Sequence, residues 1–208
     1  ILATLSKRLI RRQGDSNVVS EAGRMIAASL RRRLDNDVIA LYDTFTKSVG
    51  GASVDLDITY FRGSVAYLLT DNSSAYGPAP MPVVAALHSE HISALILDIT
   101  DAGTQAGTRF GTGWPIEMLQ QWWRGRDRVY GVEVFHAGNI AKDSASDAKG
   151  GIFARDAMHL VIANDADPTE EKDESLRAVE YGIFQEWGEG LRADPYGVEA
   201  YFDATATV

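Results

Sequence analysis

The chain has 208 residues, of which 45% are hydrophobic, so it is long enough for one domain with a sizeable core and is unlike a disordered protein. It contains no cysteine, which excludes disulfides, thiolate metal sites and a cysteine nucleophile. The net charge of −9 is uneven, since residues 1–50 are net +4 and residues 51–208 are net −13.

The first predicted element is a basic arm. Residues 1–15 fit neither the helical nor the strand period, so we predict an extended, strand-like arm that ends in a turn at Gly14-Asp15. Such an arm has little of its own chain to pack on, so we expect a neighbouring copy to support it. The candidate inter-subunit residues are its four cations, Lys7, Arg8, Arg11 and Arg12.

A long helix is predicted next. From Ala22 to Phe45 the apolar residues recur in steps of three and four, with arginines on the opposite side. We predict a helix over residues 18–47, capped by Ser16 or Asn17 and stopped by the glycine pair at 50 and 51. An ordinary amphipathic helix fits the same stretch, but its length favours a spine on which the other elements lie.

Two more helices and a buried strand follow. Asp57 is predicted to cap a helix that buries Ile58, Phe61, Val65, Leu68 and Leu69 and ends near Asp71-Asn72. A Pro/Gly linker at 73–82 precedes a strand over 83–88, and Ser89 caps a third helix. Residues 101–113 are glycine-rich and predict a loop, followed by a short helix from Trp114 to Trp123.

Strands dominate the last third of the chain. We predict strands over 129–137, within 152–163, and twice within 176–206, where Asp194-Pro195 separates them. Residues 142–151 are predicted to be a loop, and residues 164–175 an acidic connection. Helices early and strands late indicate the α+β class.

Sequence motifs for catalysis, cofactor binding or metal binding are absent or weak. No phosphate-binding loop, dinucleotide fingerprint or nucleophile elbow is present. His88, Glu90 and His91 form the best metal-like cluster, but no third ligand is indicated. The sequence therefore predicts no cofactor, no metal and no catalytic residue, and a function that depends on shape.

Two charged segments admit a binding interpretation. The acidic run at 165–174 lacks the central glycine of a calcium loop and is more typical of a solvated surface. Residues 122–128, WWRGRDR, interleave aromatic and basic side chains as single-strand binders do. Because the chain is acidic overall, we favour the alternative to nucleic-acid binding, in which the tryptophans belong to the core and the arginines face acidic neighbours. No apolar run approaches the ~18 residues of a membrane span, so no membrane partner is expected.

The order of these parts is similar to that of a known family. The long helix ends DNDVIALYDTF, and DITYFRGSVAYLLTDN, VVAALHSEHISAL, RDRVYGVEVFHAGNI, GGIFARDAMHLVI and VEYGIFQEWGEGLRADPYGVEAYFDATA follow in turn. Together they resemble the major capsid protein of tailed bacteriophages, with the Hong Kong 97-like fold.

The resemblance implies a domain arrangement. Residues 1–15 would be the returning limb of an extended loop that lies over a neighbour, 16–51 and 152–208 the peripheral domain, and 52–151 the axial domain. The family's N-terminal arm and the outgoing limb of the loop have no counterpart here, so we expect either an incomplete chain or a reduced member. No lysine–asparagine crosslink is assigned.

The resemblance also implies the function. The chain would build hexamers and pentamers of an icosahedral virion head that encloses double-stranded DNA without reading its sequence. Cement, scaffolding and portal proteins are the expected partners, and assembly would occur in the host cytoplasm. An encapsulin-like compartment with an enzyme cargo is the related alternative, and a small metal-dependent enzyme built on His88, Glu90 and His91 is the alternative from another class.

Overall fold

The computed structural model describes residues 2–13, 15–70, 75–105, 128–129 and 131–205. The chain divides into two compact units. The smaller unit comprises Ile1–Val38 and Leu160–Gly190, and the larger unit comprises Ile39–His159 and Leu191–Val208. Helices and strands occur in both, as the α+β prediction requires.

The described helices and strands have the following bounds. The helices are α1 Lys7–Gln13, α2 Asp15–Ala40, α3 Ile58–Leu69 and α4 Ser89–Gln105. The strands are β1 Leu2–Ser6, β2 Ser48–Gly50, β3 Val83–Leu87, β4 Arg128–Val129, β5 Val132–His136, β6 Asp147–Ala154, β7 Met158–Asp173, β8 Ala178–Leu191 and β9 Gly197–Asp203. None of the helices in the described part of the chain is long and apolar enough to cross a membrane.

The larger unit is built on a six-stranded mixed sheet of order β2-β9-β6-β3-β5-β4. Strands β3 and β5 are parallel, as are β2 and β9, and the remaining neighbours are antiparallel. Alternate residues of β3 are fully buried, as its apolar sequence predicts. A contiguous core joins the sheet to α3 and α4 through Phe61, Leu68, Leu87, Leu95, Ile152 and Phe202, among others.

Helix α3 was predicted closely. The side chain of Asp57 accepts a hydrogen bond from the Tyr60 N–H at 2.7 Å, so the cap is confirmed. Four of the five predicted core positions are buried, whereas Leu69 is exposed. The helix ends at Leu69, before the predicted end.

The long helix ends earlier than predicted. Helix α2 begins at Asp15, so Ser16 and Asn17 lie in its first turn and are not its caps. It ends at Ala40 and passes into a 3₁₀ turn over Leu41–Thr44. The rings of Tyr42, in this turn, and Phe45, directly after it, are buried in the larger unit's core.

Two segments predicted as loops are strands. Residues 147–151 belong to β6, and residues 164–173 continue β7. The glycines at 150 and 151 allow close approach, because a Cβ at Gly150 would lie 2.8 Å from the Ala86 carbonyl oxygen. The acidic part of β7 is exposed, so it lacks the alternation of a half-buried strand.

The smaller unit contains α1, α2 and a three-stranded sheet of order β1-β8-β7. Strands β7 and β8 are joined by the short turn at 174–177, which makes them a hairpin. In its described part the buried hydrophobic residues are Ile26, Leu30, Ala178 and Val179. Leu34 and Val38, which lie within the predicted apolar stripe of the long helix, are half-buried.

The division into two compact units does not test the predicted peripheral and axial domains, whose bounds stay a prediction. Residues 39–51, 152–159 and 191–208, which were predicted to be peripheral, lie in the larger unit. Strand β9 pairs with β6 over seven residues, which is why the end of the chain belongs with that sheet. Most of the predicted loop at 101–113, the helix at 114–123 and most of the aromatic–basic run at 122–128 lie outside the described residues.

Candidate functional site

The candidate site is the surface formed by β1, α1 and the β7–β8 hairpin of the smaller unit. Strand β1 is antiparallel to β8, with Leu2 opposite Gly182 and Ser6 opposite Ala178. The Lys7 N–H continues this pairing by donating to the Arg177 carbonyl at 2.9 Å. The first half of the basic arm is therefore extended, as predicted, but it lies on its own chain's hairpin.

The second half of the arm is helical, which corrects the extended prediction for residues 1–15. Ser6 starts α1 by accepting a hydrogen bond from the Leu9 N–H at 3.3 Å. Lysine, leucine, arginine and glutamine all have high helix propensity, and the sequence KRLIRRQ has one β-branched residue. The arm thus combines a strand with a short basic helix.

The hairpin turn is held by Asp173. Its carboxylate accepts hydrogen bonds from the Ser175 hydroxyl at 2.6 Å and from the N–H groups of Ser175 and Leu176. These bonds, led by the Ser175 hydroxyl, lower the pKa of Asp173. Lys7 pairs with Glu174 at 3.0 Å in the same turn.

The four predicted contact residues separate into two groups. Lys7 is engaged with Glu174 of its own chain. Arg8 and Arg12 are exposed and four residues apart, so they lie on one face of α1. No carboxylate in the described parts of the chain forms an ion pair with either. The side chain of Arg11 lies outside the described residues.

The start of β7 exposes apolar residues on both faces. Leu160, Val161 and Ile162 are 41%, 57% and 49% exposed. Because successive strand residues point to opposite faces, neither face of this segment is covered. Phe184 on β8, Leu176 in the turn and Met25 on α2 are also exposed. We treat these exposed apolar residues as a candidate interaction surface.

The predicted metal-like cluster has a structural explanation. His91 is buried, and its Nε2 lies 3.1 Å from the Phe202 carbonyl oxygen, which requires that nitrogen to be the donor. Burial lowers the pKa of His91 to about 4, so the ring is neutral at pH 7. Nδ1 of His88 accepts from the Glu90 N–H instead of facing a shared centre. Among the described residues no group of three or more His, Cys, Asp or Glu is placed to hold a metal ion.

Sequence reasoning missed a charged cluster in the larger unit. Lys149 on β6 pairs with Asp43 and, at 3.1 Å, with the buried Glu199 on β9. The hydrogen bond to Asp43 raises the pKa of Lys149, and the same bond lowers the pKa of Asp43. These residues lie far apart in sequence, so only the tertiary fold brings them together.

Sequence reasoning also missed a second hydrogen-bond network in the larger unit. Tyr201 donates to the carboxylates of Asp143 and Asp147, and the buried Asp147 also accepts from the Ser53 N–H at 2.9 Å. Both networks tie loops to β6 and β9. We assign them to the folding of the larger unit because their polar atoms are engaged with one another.

Comparisons with known proteins find similarity in fold but none at the level of sequence families. No protein-family model and no curated protein matches the sequence. Solved structures match over almost the whole chain. The structure titled Mycobacterium phage Che8 has a TM-score of 0.68 at 14% identity, covering 96% of this chain and 68% of that one.

Two further structures show the range of the similarity. The head structure of Helicobacter pylori bacteriophage KHP40 has a TM-score of 0.70 at 10% identity, covering 98% of this chain and 74% of that one. The holo-SrpI encapsulin complex from Synechococcus elongatus has a TM-score of 0.67 at 11% identity, covering 100% of this chain and 74% of that one. The chain therefore has the fold of these phage and encapsulin shells, which is the Hong Kong 97-like fold that its sequence predicted.

Proposed function

We propose that this chain is a major capsid protein, a structural subunit that assembles into the icosahedral head of a tailed bacteriophage. The observation that carries the proposal is the match of 98% of the chain to the fold of a phage head. Subunits of a shell act by packing against copies of themselves, and hence need contact surfaces in place of a catalytic centre.

The smaller unit supports this assignment physically. Most of the hairpin is exposed, and its described part buries few hydrophobic residues while it exposes several large ones. A unit with so little core of its own gains stability when neighbours cover its apolar surface. Contacts between different surfaces of identical copies build rings when the rotation between copies closes, as in the hexamers and pentamers of a shell.

The finer parts of the proposal follow from the resemblance. Residues 52–151, which lie within the larger unit, would be the axial domain, and residues 16–51 with 152–208 the peripheral domain. The shell would enclose double-stranded DNA without sequence-specific contacts. Scaffolding, cement and portal proteins would be its partners, with assembly in the host cytoplasm and the virion as its destination.

An encapsulin-like compartment is the second candidate. It is favoured by the equally complete match to the SrpI encapsulin, at a TM-score of 0.67. Both candidates make the chain a shell subunit and not an enzyme, but the contents of the shell differ.

Particle size in solution tests the shared part of the proposal. The purified protein is expected to form closed shells that electron cryomicroscopy and light scattering detect. A monodisperse monomer at every salt and protein concentration would contradict it. Nuclease-protected DNA inside particles isolated from their source supports the phage head, whereas a co-purifying enzyme in place of DNA supports the compartment.

A further inference from the structure

Two histidine rings lie where β3, α4 and β9 of the larger unit meet. His88 directly follows β3, and His91 lies in the first turn of α4. Their ring centroids are 5.8 Å apart, and the His91 ring meets the Phe202 ring of β9 edge-on at 6.0 Å. The pair therefore joins the start of a helix to the end of a strand.

The hydrogen bonds at both rings require the neutral form. Nδ1 of His88 accepts from the Glu90 N–H at 3.2 Å, and a charged ring, which carries a proton on each nitrogen, cannot accept there. His91 is fully buried and donates from Nε2 to the Phe202 carbonyl, so a second proton would reside on Nδ1. That Nδ1 has no hydrogen-bond partner among the described residues, and a buried donor without an acceptor is destabilising.

The charges around the pair also oppose protonation. Burial is the main cause that lowers the pKa of each ring, and the charge of Lys142, in the loop before β6, lowers both further. Glu90 raises the pKa of His88 in part. The backbone hydrogen bond and the charge of Asp203 act upward on the pKa of His91, whereas a proton on His88 lowers it. The net change in pKa is downward at each ring, so the nearby carboxylates do not compensate for burial.

Few hydrogen bonds hold the end of β9 beside the pair. Asp203 is the last paired residue of β9. Beyond it, the Ala204 N–H donates to the Ser146 carbonyl at 2.9 Å, and the Ala204 carbonyl accepts from Lys142. By contrast, β3 is paired on both sides in the middle of the sheet, and α4 is anchored in the core. An opening around the rings should therefore begin at this strand end, where local stability is lowest.

We propose that His88 and His91 form an acid-sensitive latch, which holds residues 203–205 in place while both rings are neutral and releases them when the rings take up protons. Release lets the charged His91 ring reach solvent, which removes the cost of an unpaired buried charge. The remainder of the larger unit stays folded, so the change is local. The inference concerns the larger unit alone and does not depend on the proposed shell function.

Cysteine labelling tests the latch without background, because the chain has no cysteine of its own. Ala204 is fully buried, so the thiol of an Ala204→Cys variant reacts with a pyridyl disulfide only when this strand end opens. Its labelling rate is divided by that of Ser144→Cys, an exposed position in the neighbouring loop, which removes the effect of pH on the reaction itself. The ratio should rise about twentyfold from pH 7 to pH 5, because the pKa of His91 is 6.5 when the ring is accessible and about 4 when it is buried.

Histidine substitutions in the labelled variant identify the source of the rise. His91→Gln should abolish most of it, because glutamine retains a donor for the Phe202 carbonyl but does not titrate. His88→Asn should reduce it, since asparagine can accept from the Glu90 N–H without titrating. His159→Gln, on the exposed part of β7, is the matched control and should leave the rise unchanged. A His91→Gln variant that keeps the full rise would overturn the proposal.

A second buried position separates local opening from unfolding of the whole unit. Ala85 lies in β3 and is fully buried. At pH 5 the thiol of Ala204→Cys should be labelled at least about tenfold faster than that of Ala85→Cys, because local opening costs less free energy than global unfolding. Equal rates would mean that the histidines act only through global unfolding, and the latch would be wrong. If Ala204→Cys does not fold, hydrogen exchange of the Ala204 amide in the wild type, compared with His91→Gln at each pH, decides the same question.

Discussion

At the residue scale, the tightest packing of the larger unit lies where aromatic rings fill space left by glycines. The Tyr42 ring lies on Gly151, where an added Cβ would come within 2.8 Å of it. The Phe45 ring lies on Gly197 in the same manner. Sequence periodicity placed both aromatics on a helical stripe, and it carries no information about which glycines they meet.

Gly197→Ala should therefore destabilise the fold. Its Cβ would overlap the Phe45 ring, and overpacking of this kind costs roughly 1–3 kcal/mol. Gly63→Ala on α3 is the control, because nothing lies within 4 Å of its Cβ and alanine favours the helix by up to ~1 kcal/mol. Chemical denaturation would measure both, and a Gly197→Ala variant as stable as Gly63→Ala would contradict the packing.

The buried His91 makes stability depend on pH. Its pKa falls from 6.5 to about 4 in the fold, mainly through burial. The hydrogen bond to the Phe202 carbonyl and the charge of Asp203 raise the pKa in part, and His88 and Lys142 lower it further. Between these values the unfolded chain binds the proton more tightly than the folded chain. The His91 contribution is hence present in full above pH 6.5 and is lost as the pH falls toward 4.

His91→Gln should flatten this dependence. Glutamine retains a donor for the Phe202 carbonyl but does not titrate. The wild-type unfolding free energy should fall by up to ~1.4 kcal/mol per pH unit from this group across the window, and the variant should lack that part. His159→Gln, on the exposed strand β7, is the control. Equal pH profiles for wild type and His91→Gln would rule out this contribution.

At the element scale, the sequence predicts best where an element is buried within its own chain. Helix α3 follows from a cap, strand β3 from uninterrupted apolar residues and strand β9 from alternating apolar ones, and each is buried by the larger unit. The acidic half of β7 was missed because exposure leaves no alternation to detect. Residues 147–151 of strand β6 were missed because their glycines, which suggested a turn, serve close packing.

For helix α2 the sequence predicts an apolar stripe but not which of its residues are buried. The predicted stripe is present, but Ile26 and Leu30 are buried whereas Met25 is 65% exposed. Met25 lies beside a groove of about 430 Å³ lined by Leu5, Asn17, Val18, Glu21 and Ala22. A stripe defines a face of the helix, and it does not say which part of that face its own chain covers.

Substitutions by alanine on α2 should distinguish the buried residues of the stripe from the exposed ones. Leu30→Ala should lower the unfolding free energy by ~2–5 kcal/mol if its site is a packed core. Met25→Ala should change it little, since that side chain is mostly exposed. Thermal unfolding of unassembled protein would measure both. Equal losses would mean that the buried face of α2 is assigned wrongly.

At the scale of the whole molecule, the order of elements carried more information than any motif. The chain has 10% identity to a phage head protein of the same fold, so few side chains are shared while the arrangement is. The units could not be bounded from sequence, because β9 follows the hairpin along the chain yet pairs with β6 in the larger unit. The candidate inter-subunit residues were chosen by their charge, and they stay a prediction.

The uneven charge gives a last test, which separates contact between copies from contact with enclosed DNA. Residues 1–50 are net +4 and the remainder is net −13, so the basic arm and an acidic neighbour attract each other without any nucleic acid. Arg8, Arg11 and Arg12 changed together to glutamate should block assembly even in DNA-free solution. The control changes Arg24, Arg31 and Arg32 on α2 to glutamate, which alters the net charge equally, and should assemble.

Added salt should likewise weaken the assembly of the wild-type protein. The screening length falls from about 8 Å at physiological ionic strength to about 3 Å at 1 M, so the arm's ion pairs weaken and assembly should need more protein. Light scattering of DNA-free protein across a salt series measures both effects. Empty shells of the Arg8, Arg11 and Arg12 variant, formed at wild-type yield and salt tolerance, would show that these arginines do not hold copies together and would favour contact with DNA.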